Sequence, residues 1–171
     1  MKKGFTLIEM VAVLLIIALL AAAITGGLAS ARYRAWRTQA RESCRQLSQA
    51  WGAYLLDERK FPEELGTAQK VRAEYDNIKY VAGEVGSKRV YFELSEAEKE
   101  SGGGLRDHWK QLISFSLDTD YDGVVQNPHP EAFGNDDGGS DKYANIRSPA
   151  IAWSEGDPKK AKRKDNPIVA W

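Results

Sequence analysis

From Met10 to Ile24, fifteen apolar residues follow one another without a polar break. With Phe5, Leu7, Ile8, Leu28 and the small residues between them, the run reaches the ~20 residues that cross ~30 Å of hydrocarbon as a helix. A 171-residue chain has room for this element and one soluble domain. Glu9 stands at the head of the run, where a carboxylate is costly and marks a function. Two readings are open. One is a cleaved secretory signal, with Lys2 and Lys3 as its basic start and Ala29-Ser30-Ala31 as a small-residue cleavage site; the other is a retained membrane helix. A cleaved signal gains nothing from Glu9, whereas a retained helix can use it if a cation reaches it.

The octapeptide Lys3-Gly4-Phe5-Thr6-Leu7-Ile8-Glu9-Met10 combines a short basic leader, Gly-Phe, a glutamate at fixed offset and a long apolar run. In this it resembles the processing motif of type IV pilins and type II secretion pseudopilins. The resemblance implies that a prepilin peptidase cuts after Gly4 on the cytoplasmic side and methylates the new N-terminus at Phe5, while the apolar helix stays attached. It also supplies the cation: the α-amino group of Phe5 in a neighbouring subunit pairs with Glu9 in the filament. Either charge buried alone costs several kcal/mol, so such a pair sets register more than it adds stability.

Past the run, Trp36, Ala40, Cys44, Leu47, Trp51, Tyr54 and Leu55 recur at helical steps, with polar residues on the other faces. A helix unbroken to about Glu58 would be ~80 Å long at ~1.5 Å per residue, so its first half must be covered by lipid or by other subunits. Gly26-Gly27 interrupts it, either for close packing or as a place to unwind. Pro62 forces Phe61 out of helix, and the stretch Tyr54 to Pro62 is similar to the end of the long helix in the major pseudopilin of type II secretion. Five arginines, Arg32, Arg34, Arg37, Arg41 and Arg45, outnumber Lys2 and Lys3. A plain count of cations therefore puts the body in the cytoplasm, against the leader cleavage that the resemblance implies. The resemblance is given precedence, and the body is assigned to the periplasm.

Beyond residue 62 the sequence predicts a short helix within 63–77, above all in VRAEY. Strands are predicted at NIKYVAGEV, KRVYFEL, QLISFSL, PAIAW and the terminal IVAW, with a helical turn in SEAEKESGGG. Such a sheet is marginal alone and gains a core from the helix face around Leu47, Trp51 and Tyr54. Two stretches resemble the pseudopilin sheet region. In LRDHWKQLISFSLDTDYDG, Asp107 and Trp109 fit an Asp-Pro-Trp-Gly turn, from which His108, Lys110 and Gln111 depart. In IAWSEGDPKKAKRKDNPIVAW, Trp153, Ser154, Gly156, Asp157, Asp165, Ile168 and Trp171 fit a terminal Trp-Ser-x-Gly, an acid-bearing loop and a final Ile-x-x-Trp.

The 24 basic and 24 acidic residues balance, which argues against a nucleic-acid partner. Their distribution is uneven: Ser116 to Asp141 holds seven acids and no Lys or Arg, and KKAKRK at 159–164 is basic. Asp118, Asp120 and Asp122 before Gly123 alternate as oxygen donors suited to Ca²⁺, with Asp136, Asp137 and Asp141 as further donors; a solvated acidic turn is the plainer alternative. His129 at the twelfth position excludes an EF-hand. The pseudopilin resemblance implies a second calcium set, Ser154, Asp157 and Asp165, but there KKAKRK sets cations beside the acids. That run reads as a solvated loop or as a patch for an anionic partner. Cys44, the lone cysteine, excludes an internal disulfide and falls on the apolar face, as an inert thiol. His108 and His129 are the only histidines and no nucleophile, phosphate-loop or metal-enzyme motif accompanies them, so no enzyme is expected.

The expectation is an α+β, pilin-like chain: leader at 1–4, membrane half of the long helix at 5–28, periplasmic half at 29–60 and a globular body at 61–171. It would be a single-pass inner-membrane protein and the homopolymerising subunit of a type II secretion pseudopilus. The partners implied are the prepilin peptidase, minor pseudopilins, an inner-membrane assembly platform, and lipid before assembly. A type IV pilus subunit and a secreted soluble binding domain freed near Ala31 are the alternatives.

Overall fold

The computed structural model of the protein describes residues 6–66, 69–86, 89–100, 102–130, 144–163 and 166–170. The chain divides into two compact units, Met1–Trp36 and Arg37–Trp171. In the first, the described backbone is the start of helix α1 (Leu7–Glu58), and every side chain from Leu7 to Ala22 is exposed. Large apolar residues stand in the open, Leu7 at 83% and Leu19 at 63% of full exposure. A soluble fold rarely leaves so large an apolar surface uncovered. By length and composition α1 can cross a membrane.

The second unit is α+β. Its part of α1 buries Ala40, Cys44, Leu47, Ala50, Trp51 and Tyr54, the one face that the helical spacing marks out. The helix stops at Glu58, where Arg59 takes a left-handed conformation (φ 65°) and donates its N–H to the Leu55 carbonyl. A 3-10 turn at Glu63–Leu65 leads to β1 (Val71–Arg72) and α2 (Tyr75–Ile78), then α3 (Glu96–Lys99), β2 (Ser114–Leu117), β3 (Val125–Gln126), β4 (Asn145–Ile146), β5 (Ala150–Ser154), a 3-10 turn at Pro158–Lys160 and β6 (Ile168–Val169).

The main sheet is antiparallel, in the order β1-β2-β5-β6, with Val71 opposite Phe115, Phe115 opposite Ala152 and Trp153 opposite Val169. Alternation along β5 divides the core. Ala150 and Ala152 join the cluster that includes Trp51 and Phe115, whose rings stack at 5.3 Å, while Ile151 and Trp153 pack with Val125 and Ile146 of the separate β3–β4 ribbon. Both faces of β2 and β5 are therefore buried. The Ser48 hydroxyl donates to the Ala150 carbonyl at 2.7 Å and ties α1 to the sheet.

The strands expected in QLISFSL, PAIAW and IVAW are present, as is the helical turn in SEAEKESGGG, closed by a Ser95/Glu98 capping box. Three expectations need correction. VRAEY is not a helix: Val71–Arg72 is the edge strand, and helix begins only at Tyr75. NIKYVAGEV and KRVYFEL are not strands. Ile78 is buried at the end of α2, Tyr80, Val81 and Ala82 are buried on the turns that follow it, and Tyr91 and Phe92 both donate to the single Val81 carbonyl, at 2.8 and 3.0 Å. The two runs meet at one acceptor instead of a ladder. Gly83 makes that meeting possible, since a Cβ there would stand 2.6 Å from the Arg89 carbonyl oxygen.

Candidate functional site

The start of α1 is closed by its own side chains. Thr6 donates its N–H and its hydroxyl to Glu9 Oε2, at 2.8 and 2.9 Å, and Glu9 N–H faces Thr6 Oγ1 at 3.4 Å. This is a capping box, Thr6 as N-cap and Glu9 three positions into the helix. Thr-x-x-Glu before an apolar run is the sequence signal of this cap. Glu9 remains exposed, so its second oxygen can meet an outside partner. Gly4 and Phe5 lie outside the described residues. Residues 1–25 match the family model of the prokaryotic N-terminal methylation motif. This is the signal of type IV pilin-like prepilins, and with the apolar helix it fits membrane anchoring. Compared over its length with curated proteins and with solved structures, the chain gave no significant match.

The acidic turn brings Asp118, Asp120 and Asp122 together, one oxygen or more of each within 4.8 Å of the others. Asp118 is buried; its carboxylate accepts from Asp122 N–H at 3.2 Å and Gly123 N–H at 2.8 Å, and Asp122 caps Val124 N–H at 2.8 Å. Burial raises the Asp118 carboxyl above its ordinary range, and the neighbouring Asp120 and Asp122 charges add to this. Asp120 and Asp122 face an open groove of about 430 Å³. The turn is fastened to the segment after α1: Tyr121, at φ 59°, accepts the Phe61 N–H on its hydroxyl at 2.9 Å and stacks on the Phe61 ring. The oxygens free of backbone bonds are hard donors of the kind Ca²⁺ takes, so the residue set fits such an ion. Asp136, Asp137 and Asp141 lie outside the described residues.

The C-terminal loop uses its polar groups internally. The Ser154 hydroxyl donates to Asp107 Oδ2 at 2.5 Å and accepts from Gly156 N–H at 2.9 Å, while Asp157 accepts from Lys159 N–H at 3.0 Å as cap of the Pro158–Lys160 turn. Asp107 is itself buried, which raises its carboxyl, and it accepts from Gln111 N–H at 2.9 Å. The turn Asp107–Lys110 is tight, and Lys110 takes a left-handed φ of 63° where the resemblance puts glycine. Asp165 lies outside the described residues.

A cluster not anticipated from the sequence surrounds Glu155. Lys70 Nζ stands 2.6 Å from its carboxylate, His129 Nε2 and Trp153 Nε1 each 3.3 Å. The His129 imidazole first, then Lys70, pushes the Glu155 carboxyl down to about 2 against the opposing effect of burial. Its members come from three places in the chain, and no local pattern announces them. Cys44 is fully buried, and burial pushes its thiol up to about 12, which leaves it inert at neutral pH.

Proposed function

We propose that this chain is the homopolymerising subunit of a pilin-like filament, and within that class the major pseudopilin of a type II secretion system. A prepilin peptidase would remove residues 1–4 and methylate Phe5. The observation that carries the reading is an apolar helix, exposed from Leu7 to Ala22, behind a prokaryotic N-terminal methylation motif. Lipid covers that face before assembly and sister helices cover it afterwards, so the work is mechanical and needs no catalytic group. The body lies in the periplasm, and the filament grows on an inner-membrane platform with minor pseudopilins. Intact mass spectrometry of membrane-extracted protein tests this. The expected mature chain begins at N-methylated Phe5; a chain beginning near Arg32 would replace the filament by a secreted soluble domain.

A second element of the reading is a structural Ca²⁺ held by Asp118, Asp120 and Asp122. Three converging carboxylates, one of them buried, support it, because a dication offsets their mutual repulsion. The Ser154, Asp157 and Asp165 set is the weaker candidate, since Ser154 and Asp157 already serve the loop's own backbone and Asp107.

A further inference from the structure

The side chains of the basic run at 159–163 play no part in the sites above, yet the structure gives the run a fixed shape. The Pro158–Lys160 turn continues through an Arg163 N–H to Lys160 carbonyl bond of 2.9 Å. Asn166, 2% exposed, closes the base of the loop. Its N–H donates to the Arg163 carbonyl at 3.0 Å, its Nδ2 to the Glu155 carbonyl at 2.6 Å, and its Oδ1 accepts from Asp157 N–H at 3.1 Å. Its own carbonyl accepts from Arg37 Nη1 at 3.2 Å. That bond sets the loop beside Arg37 of α1, with Arg41 one turn further on and exposed.

Lys159, Lys162 and Arg163 are exposed. Among the described residues, Arg41, Lys159 and Lys162 make no ion pair. Among the described residues, Asp157 of the same loop is buried and used as a cap, and Glu42 on α1 accepts from Gln46 at 3.2 Å. In the sequence, Arg37 lies nine positions past Leu28, the last large residue of the apolar run. Long cationic side chains act on a charged surface over a screening length of ~8 Å at physiological salt.

We propose that Lys159, Lys160, Lys162 and Arg163, held beside Arg37 and Arg41 by Asn166, form a cationic surface that binds the anionic phospholipid headgroups of the leaflet where α1 emerges. The inference rests on the membrane reading given above. The occupant follows from charge complementarity and from the chain's attachment to an apolar helix: a basic cluster tethered next to a membrane sees headgroup charge at high local concentration. The loop then holds the body down on the membrane until the subunit is drawn into a filament.

The test places the full-length chain in nanodiscs of equal parts phosphatidylcholine and phosphatidylglycerol and counts the lipids it retains by native mass spectrometry. Each cation at such a surface contributes about a fivefold factor. The wild-type chain is expected to retain phosphatidylglycerol over phosphatidylcholine by tenfold or more on that basis, less at high salt. Lys159→Gln with Lys162→Gln should lower the ratio about tenfold or more, and Lys159→Arg with Lys162→Arg should keep it, which separates charge from any structural effect. Failure to enter the discs would overturn the membrane reading and this inference with it. Entry without headgroup preference, or equal preference in the Gln variant, overturns this inference alone. Displacement of phosphatidylglycerol by heparin at equal charge would assign the patch to a soluble polyanion instead.

Discussion

Lys110 holds φ at 63°, a conformation that costs a residue with a Cβ about 1–2 kcal/mol. Gly at this position keeps the Asp107–Lys110 turn and removes the clash, at some cost in chain entropy. Lys110→Gly is therefore expected to stabilise the fold by about 0.5–1 kcal/mol, read as a higher denaturant midpoint of the full chain in detergent. Glu155 gives the opposite kind of prediction. Its folded-state pKa of about 2 lies below the ~4.3 of an unfolded glutamate, so its contribution is complete above about pH 5 and is lost as pH falls from there toward 2. The side chain is 41% exposed, and solvent screening holds that contribution to about 1 kcal/mol. Glu155→Gln should lower stability by that amount at pH 7 and by much less near pH 2.5. An equal gap at both values would remove Glu155 from the pH dependence.

Among the elements, those built on period were legible and those built on isolated contacts were not. Ala40 to Tyr54 repeat at helical steps because one face meets a sheet, and β2 and β5 read as strands because both their faces are buried. The segment 78–92 carries strand-like apolar residues but packs them on turns around the single Val81 carbonyl, a geometry set by the close approach at Gly83 and by no local pattern. The acidic turn between β2 and β3 was readable as an alternation of Asp, while its fastening to Phe61 through Tyr121 was not. That turn carries the calcium prediction. A ligand bound only by the folded state adds about 2.7 kcal/mol at a hundredfold excess over Kd, so calcium should raise the melting temperature. Asp120 is exposed and caps no backbone group among the described residues, so Asp120→Ala should abolish the rise without breaking the turn, while Asp165→Ala spares most of it. A wild-type melt unmoved by EDTA would mean no structural calcium. Loss of the rise with Asp165→Ala alone would move the site to the C-terminal loop.

For the molecule as a subunit, Glu9 has two partners to serve, its own helix and, in the proposed filament, a neighbouring chain. The sequence showed a carboxylate at the head of an apolar run, and the resemblance offered it a cation from a neighbouring chain. Glu9 also caps its own helix through Thr6, as the Thr-x-x-Glu spacing signals. The two roles make different demands on the side chain. A cap needs an acceptor at the third helical position, which glutamine supplies, whereas pairing with the α-amino group of a sister subunit needs the negative charge. Glu9→Gln should thus keep the helix start and membrane insertion, since removing a charge makes insertion easier, but lose most filament yield. Glu9→Val, which removes the cap as well, should insert equally and also fail to polymerise. Both variants are scored by membrane fractionation and by sheared-filament yield. Normal filaments from Glu9→Gln with failure of Glu9→Val would make Glu9 a helix cap and nothing more. Loss of filaments in both, with insertion intact, assigns the charge to the joint between subunits.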